Sequence, residues 1–195
     1  MMHRRNTVRV LLALGVAGLA AACADQITAP SALAPSATPS RATAVSTSST
    51  LVNALTWSKP ATLASASKVI GPAGGSFSIP NGIKVTVPEG AVSSNVTFSV
   101  TRLPGSIIAY DFQPHGTAFA KPLTIEHPTA GANTSKLPKE ATLEGAYVPD
   151  LSLLDQQLGT ATVSEFRPTF VSATKSTVTF TVDHFSGYIV SWGRR

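Results

Sequence analysis

The stretch TVTFTVDHFSGYIVSW, residues 177–192, decides the fold. Val178, Phe180 and Val182 alternate with Thr177, Thr179, Thr181 and Asp183. A period of two puts one set on a core face and the other in solvent. Carried onward, the same parity sends His184, Ser186, Tyr188, Val190 and Trp192 to the core face, so the stretch reads as one long extended strand. The side chains of His184 and Ser186 then stand about 7 Å apart across an unstrained peptide. Chemistry at this place needs something else: an imidazole within about 3 Å of the Ser186 hydroxyl and a distorted Phe185–Ser186 peptide. That requires a bend, which Ser186-Gly187 is the point able to supply.

Upstream, the texture is the same. SKVI (67–70), GSFSI (75–79) and IKVTV (83–87) are separated by GPAG and PNG, which are turn sequences. NVTFSVTRL (95–103), IIAYDF (107–112), KPLTIEH (121–127), EGAYV (144–148) and TFVSA (169–173) continue the series. No window holds a helical period; LSLLDQQLGTATVSEF (151–166) fits a short helix or a hairpin equally well. Short strands with turns about every ten residues predict an all-β fold, an antiparallel β-sandwich over residues 64–195. Such a length buries a sufficient core without disulfides.

The N-terminal third has a different composition. Residues 1–22 join a basic start (Arg4, Arg5, Arg9) to an apolar run of 13 residues from Val10 to Ala22. That is the pattern of an export signal, and the run is short of the roughly 20 residues a membrane-spanning helix needs. Ala20, Ala21 and Ala22 lead into Cys23, the only cysteine, and this junction resembles the lipobox of bacterial lipoproteins. Ala20 fills the place where leucine is usual, with Leu19 one position early. The resemblance implies a diacylglycerol on the Cys23 thiol, cleavage before it and acylation of the new amino group. The alternative is a secretory signal cut after an Ala-x-Ala site, which leaves an unpaired thiol in an oxidising compartment. Two or three acyl chains, at about 0.8 kcal/mol per buried methylene, anchor a protein stably where one does not. Residues 23–63, rich in Ala, Ser, Thr and Pro, are expected to form a disordered tether spanning roughly 35 Å as a flexible coil. Leu55 and Trp57 are its exceptions, candidates for a first touch with the domain.

The formal charge of +5 falls once Arg4, Arg5 and Arg9 leave with the signal, since twelve basic residues then face ten acidic ones. With no aromatic-basic pattern and no Lys/Arg run beyond Arg194-Arg195, nucleic acid is not an expected partner. Asp111, His115, Glu126 and His127 lack metal-ligand spacing and read as solvated loop residues, so no metal or other cofactor is expected. No nucleophile elbow or phosphate-binding glycine loop occurs. Tyr110 and Phe112 offer a carbohydrate platform if exposed and core if their strand is buried.

Four segments carry a family resemblance. Gly71 with Gly74-Gly75, Val87-Pro88-Glu89-Gly90-Ala91-Val92, Pro114/Gly116/Phe119/Lys121-Pro122 and His184-Phe185-Ser186 occur in this order. They resemble the ZU-five domain of zonula occludens scaffolds, ankyrins and Unc-five receptors, over residues 66–192. The resemblance implies a protein-binding or structural module rather than an enzyme. In some animal relatives His-Phe-Ser is a self-cutting site; by that likeness Ser186 would attack the Phe185 carbonyl with His184 as base. The expected protein is therefore an exported, lipid-anchored, non-catalytic ZU-five-like module. It faces the periplasm or cell surface, on an outer membrane if its source has two, since no aspartate directly follows Cys23. Its partners are the membrane through Cys23 and a protein or envelope polymer. The alternatives are self-processing between Phe185 and Ser186 and carbohydrate binding.

Overall fold

A computed structural model describes residues 48–195, and Cys23, the signal and residues 23–47 of the expected tether lie outside the described residues. In chain order the strands are β1 (Thr50–Ala54), β2 (Thr56–Ala61), β3 (Ala64–Ile70), β4 (Gly75–Ser78) and β5 (Lys84–Val87). Then come β6 (Val96–Arg102), β7 (Gly105–Ile107), β8 (Ala109–Gln113) and the long β9 (Ala118–Pro128). A 3-10 turn at Thr134–Lys136 precedes β10 (Glu144–Val148), and another at Leu151–Leu153 precedes β11 (Leu154–Asp155) and β12 (Thr160–Val163). β13 (Glu165–Phe166), β14 (Thr169–Val171), β15 (Thr177–His184) and β16 (Gly187–Arg194) complete the chain.

The strands form an antiparallel β-sandwich. The larger sheet runs β11-β12-β1-β16-β8-β6-β3, with β10 paired to β16 and β13; the smaller runs β14-β15-β9-β5-β4. β2 and β7 make a separate ribbon. Between the sheets lie Phe98, Val100, Tyr110, Phe112, Tyr188 and Val190 from one side, and Val85, Leu123, Ile125, Val178, Phe180 and Val182 from the other. This is the alternation that period-two sequences dictate. The 151–166 segment resolves as a hairpin, β11 to β12, whose turn is tied by the Asp155 carboxylate accepting the N–H groups of Gln157 and Leu158, each at 2.9 Å.

Residues 48–63, assigned by composition to the tether, belong to the fold. β1 lies between β12 and β16, and Val52, Ala54 and Leu55 are buried. Composition misses this because β1 takes its partners from the far end of the chain, and five residues, TLVNA, inside a Ser/Thr/Ala/Pro-rich stretch are stabilised by the ladders on either side. Residues 177–192 are also not one strand: β15 belongs to the smaller sheet and β16 to the larger, and the chain changes sheet at Phe185-Ser186. Beyond that corner Ile189 and Ser191 are buried too, because the larger sheet packs apolar residues on both faces. Ile189 joins Val52, Ile107, Ala109, Val148 and Val163 in a second cluster.

His127, expected to be a solvated loop residue, is a fully buried residue of β9. Its ring lies 5.7 Å from those of both Trp57 and Tyr110, and neither ring nitrogen has a hydrogen-bond partner among the described residues. Burial pushes its pKa down from 6.5 to about 4.

A chain starting at Ala64 should fail to fold, whereas one starting at residue 48 should fold. Burial of Val52 and Leu55 alone is worth about 3–6 kcal/mol, against a typical total of about 5–15 kcal/mol; circular dichroism and denaturant titration of the two chains check this. His127 predicts acid sensitivity. The unfolded chain protonates near pH 6.5 and the folded chain only near pH 4. This contribution is complete above 6.5 and is lost as pH falls towards 4, by roughly 3 kcal/mol. Urea titrations at stepped pH should show that loss in the wild type and a flatter profile in His127→Leu.

Candidate functional site

The corner between β15 and β16 brings His184-Phe185-Ser186 together with Phe112, Gly116 and Phe119. Phe185 turns inward and is buried, its ring 4.8 Å from Phe119 and 5.3 Å from both Phe98 and Phe112. Its backbone is held by the 114–117 loop: the Phe185 N–H donates to the Thr117 carbonyl at 3.1 Å, and the Phe185 carbonyl accepts from the Gly116 N–H at 3.3 Å. The Ser186 carbonyl accepts from the Phe112 N–H at 3.1 Å. Gly187 follows because a side chain has no room there: a Cβ would lie 2.7 Å from Leu151 and 3.0 Å from the Val148 carbonyl oxygen.

His184 is only partly buried and leaves the core face that its parity predicts. Its ring meets Tyr147 edge to face at 4.8 Å, and its Nδ1 lies 3.3 Å from the Tyr188 hydroxyl, which donates to the His184 carbonyl at 2.8 Å. Burial pushes the Tyr188 pKa up, so this hydroxyl stays neutral. Nε2 faces the carboxylates of Glu165 at 3.7 Å and Asp183 at 3.8 Å. Arg167 links the same two acids at 2.7 and 2.8 Å and donates through Nε to the Thr181 carbonyl at 3.0 Å. Partial burial opposes the charged form of Asp183, but the Arg167 guanidinium outweighs it and holds the carboxyl below its usual pKa range. The imidazole's hydrogen-bonding neighbour is thus Tyr188, and no hydrogen bond joins it to the Ser186 hydroxyl. The bend that self-cleavage needs is present; the base-to-nucleophile contact is not.

The other candidates disperse. Asp111 and His115 do meet, Oδ1 to Nε2 at 2.6 Å, with the Gln113 amide on both. Glu126 pairs instead with Lys84 at 2.9 Å, and His127 points into the core from the next position of β9. Among the described residues no group of three or more His, Cys, Asp or Glu side chains converges as a metal site. Tyr110 and Phe112 are buried and form no surface platform.

The four segments that carry the family resemblance touch in succession. The Gly90 N–H donates to the Pro72 carbonyl at 2.7 Å, and the Ala120 N–H to the Ala91 carbonyl at 3.0 Å. Lys121 Nζ donates to the Glu89 carbonyl at 2.8 Å, and Gly116, Thr117 and Phe119 close on Phe185 as above. Gly90 adopts φ +74°, the left-handed conformation that glycine accepts without strain. Compared with known proteins, the chain matches no family model and no curated sequence.

Purified protein should show one intact mass under denaturing conditions. Ser186→Ala should leave that mass pattern unchanged and cost at most about 1 kcal/mol of stability. Quantitative release of residues 186–195, abolished in Ser186→Ala, would show that the corner cuts itself.

Proposed function

We propose that this chain is an exported, lipid-anchored envelope protein whose β-sandwich is a ZU-five-like, non-catalytic module for interaction or structural support. The observation that carries the reading is the succession of contacts from Gly71–Gly75 through 87–92 and 114–122 to His184-Phe185-Ser186. Segments spread over about a hundred residues pack as one physical unit, which supports their being a shared motif set rather than scattered turn sequences. The engagement of His184 with Tyr147 and Tyr188 supports a structural part for the corner. Self-processing is the second reading, favoured by the bend and by the Gly116 N–H on the Phe185 carbonyl, the oxygen that would gain charge on attack.

The anchor rests on Cys23 after its apolar run. It places the module on a membrane facing the periplasm or cell surface, the outer membrane in a two-membraned source. Expressed in a bacterial host, the full chain should partition into the detergent phase, and Cys23→Ser should move it to the aqueous phase or leave the precursor uncut. Unchanged partitioning in Cys23→Ser rules out the lipid anchor.

A further inference from the structure

Three depressions surround the segment 129–143. The largest, about 540 Å³, carries Lys139 and Lys175 with the hydroxyl residues Thr134, Thr174 and Ser176. A second, about 460 Å³, follows β2 and carries Trp57, Lys59 and Arg102, reaching the segment at Gly131. A third, about 210 Å³, shares Leu137 with the first and carries Lys136 and Arg195. These linings hold six of the eleven lysines and arginines in residues 48–195 and none of the nine acids. Glu140 lies in the same segment but is exposed and outside all three linings, and the Asp155 carboxylate is occupied by the hairpin turn.

Gathering like charges raises the energy of the folded state unless an opposite charge arrives. Neither Lys139 nor Lys175 has a carboxylate partner among the described residues; the ion pairs lie elsewhere, at Lys84–Glu126, His115–Asp111 and around Arg167. Arg102 Nε is held by the Thr62 carbonyl at 3.1 Å, which places the guanidinium 5.8 Å from the Trp57 ring centroid. Trp57 is half-buried, with the His127 ring tilted 45° to its own at 5.7 Å, and presents part of its indole to the second depression.

We propose that this surface binds an anionic polysaccharide, a glycan strand bearing carboxylate groups. The proposal deepens the interaction-module reading and rests on it. Cations set in recesses suit a thin extended strand better than a membrane plane. The Trp57 indole with its hydroxyl neighbours Ser58 and Thr62 suits sugar rings; the second indole, Trp192, lies in the third depression with its Nε1 donating to the Ala54 carbonyl, so the surface lacks the run of successive aromatic platforms that holds single-stranded nucleic acid. Cation attraction gives affinity, and the indole and hydroxyls orient the rings.

The test uses the full chain in neutral detergent micelles, with polygalacturonate as probe and dextran as its uncharged counterpart. Polygalacturonate should bind and dextran should not. Raising salt from about 0.05 M to about 0.5 M should weaken binding steeply, because surface charges are screened. Lys139→Glu with Lys175→Glu should lose at least about tenfold in affinity, and the milder Lys139→Gln with Lys175→Gln part of that. Lys68→Glu with Lys121→Glu changes the net charge equally and should bind as the wild type does. Circular dichroism of each variant shows that it is folded. No binding to polygalacturonate, equal binding to dextran, equal loss in both charge-reversal pairs, or tighter binding to a single-stranded oligonucleotide or to phosphatidylglycerol vesicles would each overturn the proposal. Detergent partitioning of Cys23→Ser and the intact mass report on the anchored, non-catalytic reading independently of all these outcomes.

Discussion

The structure depends on one side chain set between two sheets. β15 and β16 are consecutive but belong to opposite layers, so the residue joining them must point into the gap. Phe185 does so, with Phe98, Phe112 and Phe119 around it. Burial of such a ring contributes about 1.5–3 kcal/mol, and well-placed aromatic pairs add about 0.5–1.5 kcal/mol each. The larger effect is geometric: one ring in contact with β6, β8 and the start of β9 fixes the spacing of the layers and the course of the 114–117 loop.

Polar residues at the corner follow from that placement. With Phe185 facing inward, His184 and Ser186 are turned toward the rim, where Tyr147, Tyr188, Glu165, Arg167 and Asp183 surround the imidazole. Arg167 is well covered by its neighbours and joined to two carboxylates and a carbonyl. Such a network keeps a buried guanidinium from being a liability, and it holds the ring in the position the neighbouring tyrosines define.

Period-two alternation made most strands legible, because Val85 and Val87, Phe98 and Val100, and Val178 to Val182 each mark a face. The sheet change at Phe185 was not legible, since alternation on both sides of a corner keeps the same parity if one residue is skipped inward. Nor was β1, whose few apolar residues gain their meaning from β12 and β16. The burial of His127 carries no sequence signal, because a lone polar side chain at the end of a strand reads as solvated, while strand geometry sends Glu126 and His127 to opposite faces. The cationic depressions carried no local signal: Lys59, Arg102, Lys136, Lys139, Lys175 and Arg195 span most of the domain in sequence and meet only through the fold.

The position of β1 has a mechanical meaning. It is the first strand of the described chain, yet it is an interior strand, bonded to β12 along one side and β16 along the other. The Arg195 N–H caps the arrangement by donating to the Leu51 carbonyl at 2.9 Å. An edge strand under tension peels away one hydrogen bond after another from a single ladder. Traction on the chain ahead of Thr50 must instead strain two ladders together, so the sandwich is built to withstand being pulled by its N-terminal side.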